Sequence, residues 1–270
     1  MACNGSLAPG VPEAELAAGL AELNTALDDT NLSQLLTVLA RLVPEYQPSS
    51  FLLRQAGVPV AHSMKRRIAV ITTSRADYSH LYWPLHDLSR HPEVDLQLIA
   101  MGPHLSPEFG QTIREIEQDG LPISSRIECL LSSDTDVGMA KTIGVATLGL
   151  ADCLGQMRPD LLLLIADRYE MLAPASVALA LRIPVAHIEG GEISEGAIDD
   201  AVRHALTKMS HVHFTSTFAA RDRVIALGEE EWRVHRAGAP SIDHLRRDRL
   251  YDRQQLEEQL NVELKSPVSV

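Results

Sequence analysis

The run Leu161-Leu162-Leu163-Leu164-Ile165 restricts the fold of this chain more than any other feature. Five successive apolar residues, bounded by Pro159-Asp160 and Ala166-Asp167, leave neither face of a pleated strand polar. Such a strand belongs inside a parallel sheet covered by helices on both sides. Further strands are read at residues 68–73, 94–101, 183–188 and 212–215, with weaker ones at 125–130 and 233–237. Helical patterns fill the intervals, at 78–90, 108–118, 137–156, 171–181, 197–209 and 217–227. This alternation predicts an α/β class fold, a doubly wound, Rossmann-like parallel sheet.

Residues 1–63 follow a different pattern. Helices are expected at 13–27 and 32–42, followed by Pro44 and Pro48-Ser49-Ser50, so this part reads as an N-terminal helical appendage. Met64 precedes Lys65-Arg66-Arg67 and is a candidate translation start. Residues 64–245 form the predicted Rossmann-like domain. Residues 246–270 complete a charged helix expected over 243–262 and then, at Ser266-Pro267-Val268-Ser269-Val270, open a new strand, as though a second domain had been cut away.

With 270 residues and 45% hydrophobic content the chain can bury a sizeable core. A net charge of −12, with no basic run longer than Lys65-Arg66-Arg67, argues against a nucleic-acid backbone as partner. An anionic ligand would be held locally, by one or two arginines and backbone amides. Cys3, Cys129 and Cys153 lack pair spacing, which argues against a disulfide framework or a zinc ribbon and fits a reducing cytoplasm. The first ten residues carry no basic leader region, and no apolar stretch is read as approaching the roughly 18 residues of a membrane span. A soluble, unexported protein is expected.

Open parallel sheets hold ligands beyond the carboxyl ends of their strands, so the residues that follow each strand are the candidates. Ser74-Arg75-Ala76-Asp77-Tyr78-Ser79 joins the first strand to its helix, where free amides attract phosphate. Arg75 suits a pyrophosphate and Ser79 adds a hydroxyl; alternatively Asp77 only caps the helix and Arg75 is solvated. The turn lacks G-x-G-x-x-G, which counts against a nicotinamide or flavin cofactor. Asp167-Arg168 leaves the 161–165 strand, either as functional groups or as a loop-closing ion pair.

His187-Ile188-Glu189-Gly190-Gly191-Glu192 ends another strand, and its glycine pair allows a sharp turn or close approach to a ligand. Glu189 and Glu192 otherwise cap the helix that follows. On that helix Asp199 and Arg203, and Asp200 and His204, share a face at i,i+4 spacing, as surface ion pairs also do. Convergence of Asp167, Glu189 and Asp199 or Asp200 on one sheet edge favours chemistry, because crowded carboxylates repel and separate into an acid and a base. His104 follows the second strand and is read as lining the cleft. Ser241, in Gly238-Ala239-Pro240-Ser241, is an N-cap or a phosphate contact. The eleven histidines form no metal signature, and His211, His213 and His235 are read as packing residues. Neither G-x-S-x-G nor a Walker loop occurs.

Taken in order, the motifs at 74–79, 167–170 (Asp-Arg-Tyr-Glu), 187–192, 199–204 (Asp-Asp-Ala-Val-Arg-His) and 238–241 resemble the hydrolysing UDP-N-acetylglucosamine 2-epimerases, from Met64 to about Leu245. The non-hydrolysing branch has His-Val-Glu-Ala-Gly where this chain has His187-Ile188-Glu189-Gly190-Gly191-Glu192. The resemblance implies two Rossmann-like domains enclosing the substrate, as in B-type glycosyltransferases. It implies loss of UDP by elimination, a 2-acetamidoglucal, and hydration to N-acetylmannosamine for sialic-acid-like or capsular sugars. Asp167 and Glu189 would be the acid/base carboxylates and Asp199 a third; Arg75, Ser79 and Arg168 would hold the nucleotide. His104, Glu192, Arg203 and Ser241 complete the expected substrate contacts. Neither metal nor nicotinamide is needed. The expected partner is a UDP-sugar, and a homo-oligomer is compatible with it.

Three departures from the family pattern are expected: Ala166 replaces a common glycine, most of the second domain would lie outside these 270 residues, and residues 1–63 would be foreign to the family. Residues 39–48 weakly resemble the tail of nucleotide-sugar dehydratases. The alternatives are an epimerase of UDP-diacetylbacillosamine, a non-hydrolysing epimerase, and a nucleotide-sugar-binding fragment without turnover.

Overall fold

The computed structural model describes residues 13–43, 56, 65–133, 135–195, 198–247 and 251–263. The chain divides into two units, Met1–Met64 and Lys65–Val270. In the first, α1 (Glu13–Asp28) and α2 (Leu32–Leu42) pair as a helical hairpin, both close to their expected bounds. Asn31 caps α2 by accepting from the Gln34 amide at 3.1 Å. Ala26, Leu36, Val38 and Leu42 are buried, and Gly19 leaves the space that Leu42 fills. The prolines expected at 44 and 48, and the strand expected at 266–270, lie outside the described residues.

The second unit is built on seven strands: β1 (Arg66–Thr72), β2 (Val94–Met101), β3 (Ile123–Ile127), β4 (Leu161–Ile165), β5 (Val185–Ile188), β6 (Val212–Thr215) and β7 (Val234–Arg236). All pairs are parallel, in the order β3-β2-β1-β4-β5-β6-β7. The sheet is doubly wound as the alternation requires, and its order reverses between β1 and β4. Leu162 to Ile165 of β4 are buried along their whole length, as two-sided apolarity demands. β5 starts two residues later than expected, after Pro184, which has no N–H to give to a ladder.

The covering helices are α3 (Arg75–Arg90), α4 (Ile113–Gln118), α5 (Asp136–Met157), α6 (Leu172–Leu181), α7 (Asp199–Met209) and α8 (Phe218–Ala226). Each buries an i,i+4 stripe or its equivalent: Leu81 and Leu85 on α3, Ala146, Leu150 and Leu154 on α5, Val202 and Leu206 on α7. Two helical expectations are corrected. The helix expected over 108–118 is a 3-10 turn at Pro107–Phe109 and then α4, because Gly110 and Gln111 take positive φ, +81° and +47°. The charged helix expected over 243–262 is two pieces, α9 (Asp243–Arg247) and α10 (Arg253–Leu260), the second begun by an Asp252 capping box.

A third correction concerns length. α5 has 22 residues and is apolar enough to cross a membrane by length and composition, contrary to the expectation that no stretch approaches a span. Its Ala146-Leu150-Leu154 stripe is buried in the core, while Val137, Val145 and Leu148 remain exposed.

Candidate active site

The register of the sheet brings the candidate residues together. Ile165 of β4 pairs with Ile188 of β5, so Asp167 and Glu189 leave adjacent strands at the same edge. Both strands end in a left-handed residue, Ala166 at φ +58° and Glu189 at φ +64°. Non-glycine residues rarely occupy this region, and such outliers gather at functional sites. The glycine that follows is under a different demand. Gly191 has φ +82°, and a Cβ there would stand 2.3 Å from the Ala220 carbonyl oxygen. The close approach expected of the glycine pair is therefore to the backbone of α8, and Arg223 fastens it by donating to the Gly191 carbonyl.

Asp167, Arg168, Glu189, Asp199 and Arg203 all line one cavity of about 470 Å3, together with Asp77, His80 and Tyr169. Arg203 does not pair with Asp199, as its i,i+4 position suggests; it reaches across to the Asp167 carboxylate. Asp200 and His204 do pair along the helix, at 3.5 Å. Arg203 is buried, which lowers its pKa, and its Nε and Nη1 have no hydrogen-bond partner among the described residues. Buried donors without partners are costly, and a polar ligand in the cavity is one way to satisfy them.

Asp77 serves as the cap that the sequence allowed. Its carboxylate accepts from the Thr73 and Ser74 amides at 3.0 and 3.2 Å and from the Thr73 hydroxyl, and Ser74 faces the Asp77 amide in return. Burial nonetheless pushes its pKa up, against these bonds. His80, one helical turn on, is a site residue that the sequence reading missed. Its Nδ1 lies 3.1 Å from Glu189 Oε2; this contact, opposed by burial, raises the His80 pKa. The signal available was its spacing from Ala76 and Asp77 on one face of α3.

A second cavity, about 900 Å3, opens beside the first and is lined by Ser74, Arg75, Ser79, Tyr82 and His244 among others. Arg75 and Ser79 thus stand together at the start of α3. Arg168 lines both cavities. Burial works against its charge, but the 2.7 Å bond to buried Glu170 and the negative field of Glu170 and Asp77 raise its pKa.

Three expected contacts are not brought to these walls. His104 is fully buried, with Nε2 2.9 Å from the Thr72 hydroxyl and Nδ1 2.7 Å from that of Thr112. Burial lowers its pKa to about 4, so it is a neutral packing residue and not a cleft-lining one. Glu192 turns away to accept from Ser216 and Thr217, closing the β5 loop onto that of β6. Ser241 lies within the Pro240–Ile242 turn, whose N-cap is Ala239, and lines neither cavity.

The description "UDP-N-acetylglucosamine 2-epimerase" belongs to the family model that matches residues 86–269. The chain belongs to this family. It is 38% identical over 200 residues to the GDP/UDP-N,N'-diacetylbacillosamine 2-epimerase (hydrolyzing) of Campylobacter jejuni, covering 74% of this chain and 52% of the relative. Identity to the UDP-N,N'-diacetylbacillosamine 2-epimerase (hydrolyzing) of Legionella pneumophila is 40% over 182 residues, 67% of this chain and 48% of that one. The chain thus spans about half the length of these curated relatives. Among solved structures, the UDP-GlcNAc 2-epimerase of Neisseria meningitidis bound to UDP-GlcNAc superposes with a TM-score of 0.59 at 17% identity, covering 67% of this chain and 48% of the other. At that identity the likeness is one of fold, and it supports the doubly wound sheet of this epimerase-family chain.

Proposed function

We propose that the Lys65–Val270 unit forms one wall of the active cleft of a hydrolysing 2-epimerase acting on a UDP-linked 2-acetamido sugar. Asp167 and Glu189 are its proton-transfer carboxylates and Asp199 a third. The meeting of these acids with Arg168 and Arg203 around one cavity, at the point where strand order reverses, carries this reading.

The chemistry uses those groups in opposite roles. Elimination transfers the C2 proton to a carboxylate and breaks the C1–O bond, so UDP leaves with the electron pair and a 2-acetamidoglucal remains. Hydration then adds a hydroxyl at C1, while a second acid delivers a proton to C2 from the other face. One water is consumed for each UDP released. Arg75 and Ser79 hold the diphosphate at the start of α3, and Arg168, between the two cavities, offsets the charge that develops on it. The free Nε and Nη1 of Arg203 bind sugar oxygens. A second reading of the sugar, UDP-N,N'-diacetylbacillosamine, is supported by the names of the Campylobacter and Legionella relatives.

The test is incubation of the chain with each UDP-sugar in deuterated water, followed by NMR. Free UDP with the 2-epimer deuterated at C2 is the expected result. A UDP-linked epimer would replace hydrolysis by reversible epimerisation. Saturable UDP binding without turnover would reduce the chain to a nucleotide-sugar-binding half.

A further inference from the structure

His187 is fully buried and does not line the cavity, yet it touches the peptide on which the site turns. That peptide precedes Asp167. Ala166 is left-handed, a conformation that L-residues rarely adopt, so bonds must hold it. Its N–H donates to the Ile188 carbonyl at 3.0 Å, and its carbonyl oxygen lies 2.8 Å from His187 Nε2. A carbonyl only accepts, so the ring proton is on Nε2 and Nδ1 is left as an acceptor. Burial, lowering the His187 pKa to about 4, keeps the ring in this neutral form.

Facing Nδ1 at 3.4 Å is the hydroxyl oxygen of buried Thr207, whose single proton goes to the Arg203 carbonyl at 3.0 Å. Arg203 in turn holds the Asp167 carboxylate. Asp167, Arg203, Thr207, His187 and Ala166 thus pack around the turn, and the bond the ring itself donates is the one to Ala166. Gly190 leaves room for it, since a Cβ there would stand 3.0 Å from His187 Nδ1 and 3.1 Å from Thr207 Oγ1.

We propose that His187 is a positioning residue: its Nε2–H clasps the Ala166 carbonyl in the left-handed turn and so delivers Asp167 to the cavity against Arg203. The functional consequence rests on the reading of Asp167 as a proton-transfer group. The clasp itself rests on geometry alone.

Two substitutions separate the clasp from simple packing. In His187→Gln the amide nitrogen takes the place of Nε2, whereas in His187→Asn it takes that of Nδ1. His187→Gln is expected to keep kcat within about threefold of wild type, and His187→Asn to lower it roughly 10- to 100-fold with KM little changed. Adding Ala166→Gly to His187→Asn is expected to restore most of the loss, because glycine holds the turn without a clasp. Equal losses in the Asn and Gln variants, or no rescue by glycine, would overturn the proposal.

Chemical shifts of residues 166 and 167 decide the matter independently of turnover. They are expected to move away from left-handed values in His187→Asn, to stay in His187→Gln and to return in the double variant. Shifts unchanged in His187→Asn refute the clasp. A wild-type chain that turns over no UDP-sugar, but shows the expected shift pattern, leaves the clasp standing and reduces the assigned function to the nucleotide-sugar-binding half.

Discussion

Ala166 and Glu189 show how much of this site rests on single backbone conformations. Each ends a buried strand with positive φ, and each points the chain into the same cavity. Ala166→Gly is expected to stabilise the protein by about 0.5–1 kcal/mol, the left-handed cost of alanine less the extra chain entropy of glycine, read as a shift in the urea midpoint. A midpoint that falls would mean that Ala166 is not strained. Glu189→Gln keeps shape and turn but removes the proton acceptor. It is expected to abolish product formation while UDP affinity, carried by the arginines, is spared; retained turnover would remove Glu189 from the mechanism. The partner of Glu189, His80, lies on the far side of the sheet reversal, 109 residues away in sequence, so no local pattern announced their pairing.

At the scale of the element, α5 contains its own control. A Cβ on Gly144 would meet nothing within 4 Å, whereas one on Gly149 would stand 2.9 Å from the Ile127 side chain. Gly144→Ala is therefore expected to raise stability by about 1 kcal/mol, the helix-propensity difference, and Gly149→Ala to gain less or to lose. Thermal melts of the two variants check this, and equal gains would mean that β3 yields easily to the added methyl. The broken 108–118 helix shows the limit of pattern reading at this scale. Pro107 and Gly110 were visible in the sequence, but the apolar spacing of Ile113 and Ile116 alone does not reveal that the chain turns before them.

For the whole molecule, buried histidines set the response to acid. His104 and His187 are held neutral by burial, each with a pKa of about 4, against 6.5 in an unfolded chain. Between those values the unfolded chain binds protons that the folded one refuses, so stability falls as pH drops, by about 1.4 kcal/mol per pH unit for each histidine. Burial lowers His213 and His86 too, with the same sign. His80, raised by Glu189, acts oppositely: its contribution is present below pH 6.5 and is lost as pH rises through its higher folded value. Urea titrations at stepwise pH are expected to show the midpoint dropping from neutrality to pH 4 in wild type and less steeply in His104→Gln. A flat profile would contradict the buried neutral rings.

Local patterns in the sequence were enough to determine the sheet class, the alternation of helix and strand, and the edge at which Asp167, Glu189, Asp199, Arg168 and Arg203 gather, because hydrophobic periodicity and strand ends are properties of neighbouring residues. Tertiary structure decided which charges meet. Arg203 left its i,i+4 neighbour for Asp167, Glu192 turned to Ser216, His104 was enclosed by two threonines, and His80 and His187 entered the site as partners of Glu189 and Ala166. Those choices depend on strand register and on the desolvation of groups far apart in the chain, and both exist only once the sheet has formed.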